Sequence, residues 1–306
     1  MIPASIPILQ LTPNSNEVSA QIEQACRSTG FFYLSLPADS NLLSQAEQAF
    51  AQAGAFFALP TAVKLQIERS AQTNCGYVAT GTEALNSSRV GDSKEALNLG
   101  LANLGDASVW TDDLRPFQAS LAPFYHACIQ QVALPLLRSL ALSLALPAAF
   151  FVERHQQNFF LRLLHYPPLA ATQTQTSAIR AGEHTDYGTM TLLFQAGQGG
   201  LEIFSGGSWR PVLARPELIL VNLGDAIQRW TNDRYRSTPH RVVAAEAAQS
   251  SSRYSMALFC DPDPAVEIAC LPSCDSPARY APIRYQDYLQ SRFAATYTSS
   301  DVPLLR

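Results

Sequence analysis

From Pro147 onward the chain is written as short strands, and that texture restricts the fold more than any other feature. The runs NFFLRLLHY (158–166), GTMTLLFQ (188–195), ELILVNLG (217–224), HRVVAAEA (240–247) and RYSMALFC (253–260) are bounded by Gly, Pro, Ser and Asn. Several short strands at this spacing imply a sandwich or jelly roll. GLEIFSGGSWRPVLA (200–214) adds a hairpin, because Gly206 and Gly207 can take the positive φ angles of a tight turn.

Before Pro147 the pattern is mostly helical. SIPILQL (5–11) and FFYLSLP (31–37) read as strands, and NEVSAQIEQACRSTG (16–30) as a helix ended by Gly30. A second helix covers 41–60, and an Ala- and Leu-rich stretch from Leu114 to Leu146, broken at Pro123 and Pro135, reads as one kinked helix or two in succession. IRYQDYLQSRFAATY (283–297) returns to helix. The expected organisation is one unit over 1–306: a mainly helical region 1–150, a strand-rich core 151–275 and a C-terminal helix 276–306. The loose linker candidates are ATQTQTSAIRAG (171–182) and the Ser-rich turn at 248–252.

With 306 residues, 47% of them hydrophobic, the chain can bury a large core. Its net charge of -4 is spread without a basic stripe, which argues against nucleic acid or an anionic membrane and leaves a small molecule as the expected partner. No apolar run approaches the ~18–20 residues that span a bilayer, and the first residues lack the basic and long apolar regions of a secretory signal, so the expected location is cytoplasmic. The cysteines are scattered, and only Cys270 and Cys274 lie close together. Without a second pair they read as reduced thiols and not as a zinc site.

RAGEHTDYGTMTLLFQ (180–195) carries the chemistry. On an extended strand His184 and Asp186 face the same side, so an imidazole and a carboxylate can reach one ion, with the apolar run behind them as support. His240, at the head of HRVV, is the best candidate for a third ligand. Two His and one carboxylate on one face of an octahedron leave three adjacent positions open, the arrangement of non-haem Fe(II) oxygenases. The helical HExxH string of zinc hydrolases is absent. Arg253 and Ser255, again two apart, put a guanidinium and a hydroxyl on one strand face, suited to a ligand carboxylate or, alternatively, to an internal acid.

With these residues in place, the chain resembles the Fe(II)- and 2-oxoglutarate-dependent dioxygenases, in the branch of isopenicillin N synthase and the plant flavonoid and gibberellin oxidases. The resemblance runs through ACRSTGFFYL, KEALNLG and LRLLHYPP and is most specific in NLGDAIQRWTNDRYRSTPHRVV (222–243). It implies a distorted jelly-roll barrel, the double-stranded β-helix, supported by N- and C-terminal helices, in a monomer. It implies that His184, Asp186 and His240 bind Fe(II) and that Arg253 and Ser255 hold the distal carboxylate of 2-oxoglutarate. Tyr166 matches a tyrosine that also contacts this cosubstrate. Where many plant relatives have Asn-Tyr-Tyr-Pro, this chain has Leu164, His165, Tyr166 and Pro167, so one side-chain amide is missing. The implied reaction uses O2, converts 2-oxoglutarate to succinate and CO2, and oxidises a small metabolite, most simply by hydroxylation. Tyr187 and Arg180 are candidate substrate contacts. His126, His155, His165, Trp230 and Tyr235 read as structural, and Asp225 after Gly224 as a turn with an Asx-type bond. An oxidase that dispenses with 2-oxoglutarate, a non-catalytic metabolite binder and ethylene formation remain open alternatives.

Overall fold

The computed structural model describes residues 4–11, 15–83, 92–106, 108, 110–168, 179–244, 251–274 and 277–296. Most of linker candidate 171–182 and most of 248–252 therefore lie outside the described residues. The strands are β1 (Ile8–Gln10), β2 (Phe31–Ser35), β3 (Gly76–Val78), β4 (Glu95–Leu99), β5 (Phe159–Tyr166), β6 (Ile179–His184), β7 (Met190–Gln195), β8 (Leu201–Ser205), β9 (Ser208–Pro211), β10 (Ile219–Leu223), β11 (His240–Val243), β12 (Arg253–Cys260), β13 (Glu267–Ile268) and β14 (Ile283–Arg284). The helices are α1 (Ser15–Ser28), α2 (Leu42–Phe57), α3 (Thr61–Lys64), α4 (Leu101–Leu104), α5 (Arg115–Cys128), α6 (Leu134–Ser143), α7 (Asp225–Trp230) and α8 (Tyr285–Thr296).

The fold is α+β. A major sheet has the order β1-β2-β10-β7-β12-β5-β4-β3, and a minor sheet the order β6-β11-β8-β9. β12 lies between β5 and β7, with Arg253 opposite Tyr166 and Cys260 opposite Phe159. Period-two alternation gives these strands two different faces. On β5 and β12, Phe159, Leu161, Leu163, Met256, Leu258 and Cys260 join the main core. Phe160, Arg162, Leu164, Tyr166, Arg253, Ser255, Ala257 and Phe259 line a cavity, whose other wall includes Ala181, Leu201 and Val242 of the minor sheet.

The helices cover the outer face of the major sheet. α2 buries Leu42, Ala46, Ala49, Ala53, Phe56 and Phe57, a stripe at helical spacing. Phe56 stacks on Phe117 of α5 at 5.0 Å, and Phe124 of α5 meets Phe194 of β7 edge-on at 5.2 Å. The expected kink takes a particular form: residues 129–133 make a π turn between α5 and α6, immediately before Pro135, while Pro123 sits within α5. A widened turn accommodates the lost proline N–H without ending the helix.

The hairpin forms as read, with φ of 60° and 76° at Gly206 and Gly207 and Ser205 paired with Ser208. Two readings change. The region before residue 150 supplies β1 to β4, which form both edges of the major sheet. β4 is buried at all five positions, including Glu95 and Asn98, so it shows no alternating pattern to detect. Residues 179–184, read as part of a linker, are strand β6, whose burial pattern is equally irregular.

Candidate metal centre and its cavity

β11 runs antiparallel to β6 with His240 opposite His184, and the two rings lie 4.2 Å apart. β6 ends at His184, and Asp186 sits in the turn before β7. The expectation of one extended strand carrying both residues is corrected: a turn, held by tertiary contacts, brings the carboxylate round. Ligand atoms of His184, Asp186 and His240 all come within 4.8 Å of one another, the one group of this kind among the described residues.

Each imidazole is oriented by the backbone. His184 Nδ1 lies 2.7 Å from the Gly182 carbonyl and His240 Nδ1 lies 3.2 Å from that of Thr238. Protons on these nitrogens donate to the carbonyls and leave each Nε2 as the lone-pair donor. Asp186 Oδ2 accepts from the Thr191 hydroxyl and, at 2.7 Å, from the Asn222 amide. Thr191 and Asn222 are cross-strand partners on β7 and β10. Oδ1 is left for the centre, 3.7 Å from His240 Nε2.

Burial holds His184 well below the usual histidine range, and His240 beside it adds to the effect. Burial alone would raise the Asp186 carboxyl, but His240, His184, Thr191 and Asn222 outweigh it and hold it low. A neutral imidazole and an ionised carboxylate are the protonation states a cation requires. The donor set, two nitrogens and one oxygen, fits Fe(II).

The turn at 185–189 is docked on the start of α7. Asp225 N donates to Asp186 O at 2.7 Å, and Gly224 N to Thr189 O at 3.1 Å. A Cβ on Gly224 would stand 2.4 Å from Gly188 O and 2.9 Å from Asp186 O, so only glycine permits this approach. The Asp225 carboxylate accepts from Thr185 (3.1 Å) and Tyr288 (2.6 Å), a tertiary link in place of the expected Asx-type bond. His155, buried, holds Thr189 Oγ1 at 2.8 Å through Nε2 and the Phe151 carbonyl at 2.6 Å through Nδ1. Burial pushes its pKa down to about 4. His165 belongs to a network on the helix side, 2.7 Å from Glu95, which also pairs with Lys64.

Arg253 stands elsewhere in the same cavity. Its Nη1 donates to Ser255 Oγ at 3.2 Å, its Nε to Gly199 O at 3.1 Å, and its guanidinium lies 4.8 Å from the Tyr166 ring centre. None of these partners is an acid. Burial therefore weakens its hold on its proton, a strain that an anionic ligand relieves. The internal-acid alternative for Arg253 finds no such partner among the described residues. Tyr166 and Tyr187 line the cavity, and Arg180 is not among its lining residues. Arg180 is buried on β6, donates to the Pro167 carbonyl and lies 5.5 Å from the Tyr166 ring centre, which fits a role in fixing Tyr166. The cysteines are all free thiols, with Cys26, Cys128 and Cys260 pushed up by burial and hence unreactive.

Sequence reasoning missed Thr191, Asn222 and His155, and also the wall of Glu83, Lys94 and Arg162. A polar residue inside an otherwise apolar run, as Asn222 is in ELILVNLG, was the available signal.

Comparison with known proteins gives a consistent picture. The 2OG-Fe(II) oxygenase superfamily profile matches residues 155–262, and that of the non-haem dioxygenase in morphine synthesis N-terminal region matches residues 6–117. The chain is 37% identical over 274 residues to proline hydroxylase buaE of Petromyces alliaceus, covering 82% of this chain and 85% of the relative. It is 34% identical over 255 residues to the 2-oxoglutarate-dependent dioxygenase htyE of Aspergillus rugulosus, covering 74% and 77%. Among solved structures, a full-length Neurospora crassa protein crystallised in complex with alpha-KG superposes with a TM-score of 0.81 at 29% identity, over 92% of this chain and 94% of that one.

Proposed function

Since the chain belongs to the 2OG-Fe(II) oxygenase superfamily and is a 2-oxoglutarate-dependent dioxygenase, we propose that His184, Asp186 and His240 hold its Fe(II), and that Arg253 and Ser255 hold the distal carboxylate of 2-oxoglutarate. When bound, the metal and cosubstrate supply the oxidising power: O2 is consumed, 2-oxoglutarate becomes succinate and CO2, and one oxygen atom is available to a substrate carbon. The chain's own groups bind, orient and exclude water. Thr191 and Asn222 aim Asp186; Gly182 and Thr238 fix the two imidazoles; Tyr166 packs beside the Arg253 guanidinium, so that the carboxylate meets a rigid fork.

The observation that carries this reading is a cavity holding both a compact His, Asp, His group and a buried guanidinium with no acid partner among the described residues. Hydroxylation of a small molecule is the favoured outcome, supported by a proline hydroxylase among the relatives. The facing sheets and the likeness to solved oxygenases support a distorted jelly-roll barrel. All of these groups come from one chain, which supports a monomer. Tyr187, with Phe293 of α8 against it at 6.2 Å, is a candidate substrate contact. The test is Fe(II)-dependent conversion of 2-oxoglutarate to succinate by the purified protein. It is expected to fall to background in His184→Ala, and conversion that persists in that variant would overturn the assignment.

A further inference from the structure

The cavity has a second charged wall that the cosubstrate reading leaves unused. Glu83, Lys94 and Arg162 line it, with Asp92 directly behind. Arg162 Nη2 donates to Glu83 Oε2 at 2.5 Å, Lys94 Nζ lies 3.5 Å from the same oxygen, and Lys94 also pairs with Asp92. Glu83, Asp92 and Lys94 are buried. Packing charges here costs more than an apolar wall of the same shape would, so a ligand is the better explanation of why they stay.

Position and chemistry both restrict that ligand. Arg162 shares a face of β5 with Leu164 and Tyr166 and stands opposite Ala257 of β12, two residues along from Ser255. Asp92 Oδ1 accepts from Gly182 N at 3.2 Å, which ties the group to the strand carrying His184. Lys94 is also close enough to add, after burial and His240, to the forces that keep His184 neutral. The group is therefore beside the metal centre. Two cations and two carboxylates leave it without net charge, in contrast to Arg253, whose partners include no acid. Arg253 suits a dianion such as 2-oxoglutarate. A compensated wall offers an anion little, yet presents both a fork for a carboxylate and an acceptor for an ammonium. Leu164, Leu193, Ala257, Phe160 and Phe259 supply apolar surface for the rest of the molecule.

We propose that Glu83, Lys94 and Arg162 form the substrate anchor and that it selects a zwitterion, a small molecule bearing a carboxylate and an ammonium on neighbouring atoms, as an α-amino acid does. This rests on the reading of the cavity as an Fe(II) and 2-oxoglutarate site. Arg162 takes the carboxylate, Glu83 the ammonium, and the side chain reaches toward the metal.

The test is calorimetric titration of the protein with Mn(II) and 2-oxoglutarate, then with L-proline and L-phenylalanine. Each amino acid is compared with analogues lacking one charge: cyclopentanecarboxylate and pyrrolidine, 3-phenylpropanoate and 2-phenylethylamine. At least one amino acid is expected to bind about tenfold or more tightly than both of its analogues. Arg162→Met and Glu83→Gln are each expected to remove that advantage, while 2-oxoglutarate still binds Arg162→Met. A carboxylate analogue that binds as well as its amino acid, or no binding of either amino acid to protein that has bound 2-oxoglutarate, overturns the anchor. Failure of 2-oxoglutarate itself to bind overturns the cosubstrate reading, and amino-acid binding in that case leaves the anchor standing.

Discussion

The two oxygens of Asp186 are differently engaged: Oδ2 is held by Thr191 and Asn222, and Oδ1 faces His240. Removing either holder lets the carboxylate rotate, so Asn222→Ala is expected to weaken Mn(II) binding by about 10- to 100-fold with the fold retained; a titration that gives wild-type affinity would contradict it. His155 gives a pH prediction. Its folded pKa of about 4 lies below the ~6.5 of an unfolded histidine, so between these values the unfolded chain binds the extra proton and stability falls as pH falls. From pH 7.5 to 5 the loss from this group is about 2 kcal/mol, and it is expected to shrink in His155→Gln when denaturant unfolding is measured at both pH values. At this scale His184, Asp186, His240, Arg253 and Ser255 were legible because their spacing is chemically unusual. Thr191 and Asn222 were not, because their part depends on being cross-strand neighbours, which a linear sequence does not state.

Elements carry the next layer of meaning. The docking of α7 on the 185–189 turn needs a bare backbone at Gly224, where a Cβ would meet Gly188 O at 2.4 Å. Gly224→Ala is expected to destabilise the protein by about 1–3 kcal/mol and to weaken metal binding as well, because the same turn carries Asp186; chemical denaturation alongside Mn(II) titration checks both. Strands with a clear run of apolar residues, β5, β7, β10 and β12, were readable. β4 and β6 were hidden because burial on both faces, or a break in alternation near the site, erases the period-two signal. The π turn before Pro135 was readable as a break but not in kind, since proline announces a lost hydrogen bond without saying how the helix closes around it.

Across the whole molecule, helices back the major sheet, and the space between the two sheets becomes the reaction cavity. Its ligands come from β6, the following turn and β11, so metal binding joins segments distant in sequence and should stabilise the fold by linkage. Mn(II) at about 100 times its dissociation constant is expected to add ~2.7 kcal/mol, raising the unfolding temperature by several degrees, and to add nothing in His240→Ala. The overall class and the site's location were legible, whereas the N-terminal strands at both sheet edges were not, because edge pairing is decided by tertiary contacts. The central claim is that one cavity holds both Fe(II) and 2-oxoglutarate through separate groups. The measurement that tests it most directly is an anaerobic titration with Fe(II) and then 2-oxoglutarate, followed by the weak visible charge-transfer absorption of a 2-oxo acid chelated to Fe(II). The account predicts the absorption in wild type, its absence in Asp186→Ala for want of iron, and in Arg253→Ala bound iron with a much higher 2-oxoglutarate requirement. Identical titration curves for Arg253→Ala and wild type would contradict it.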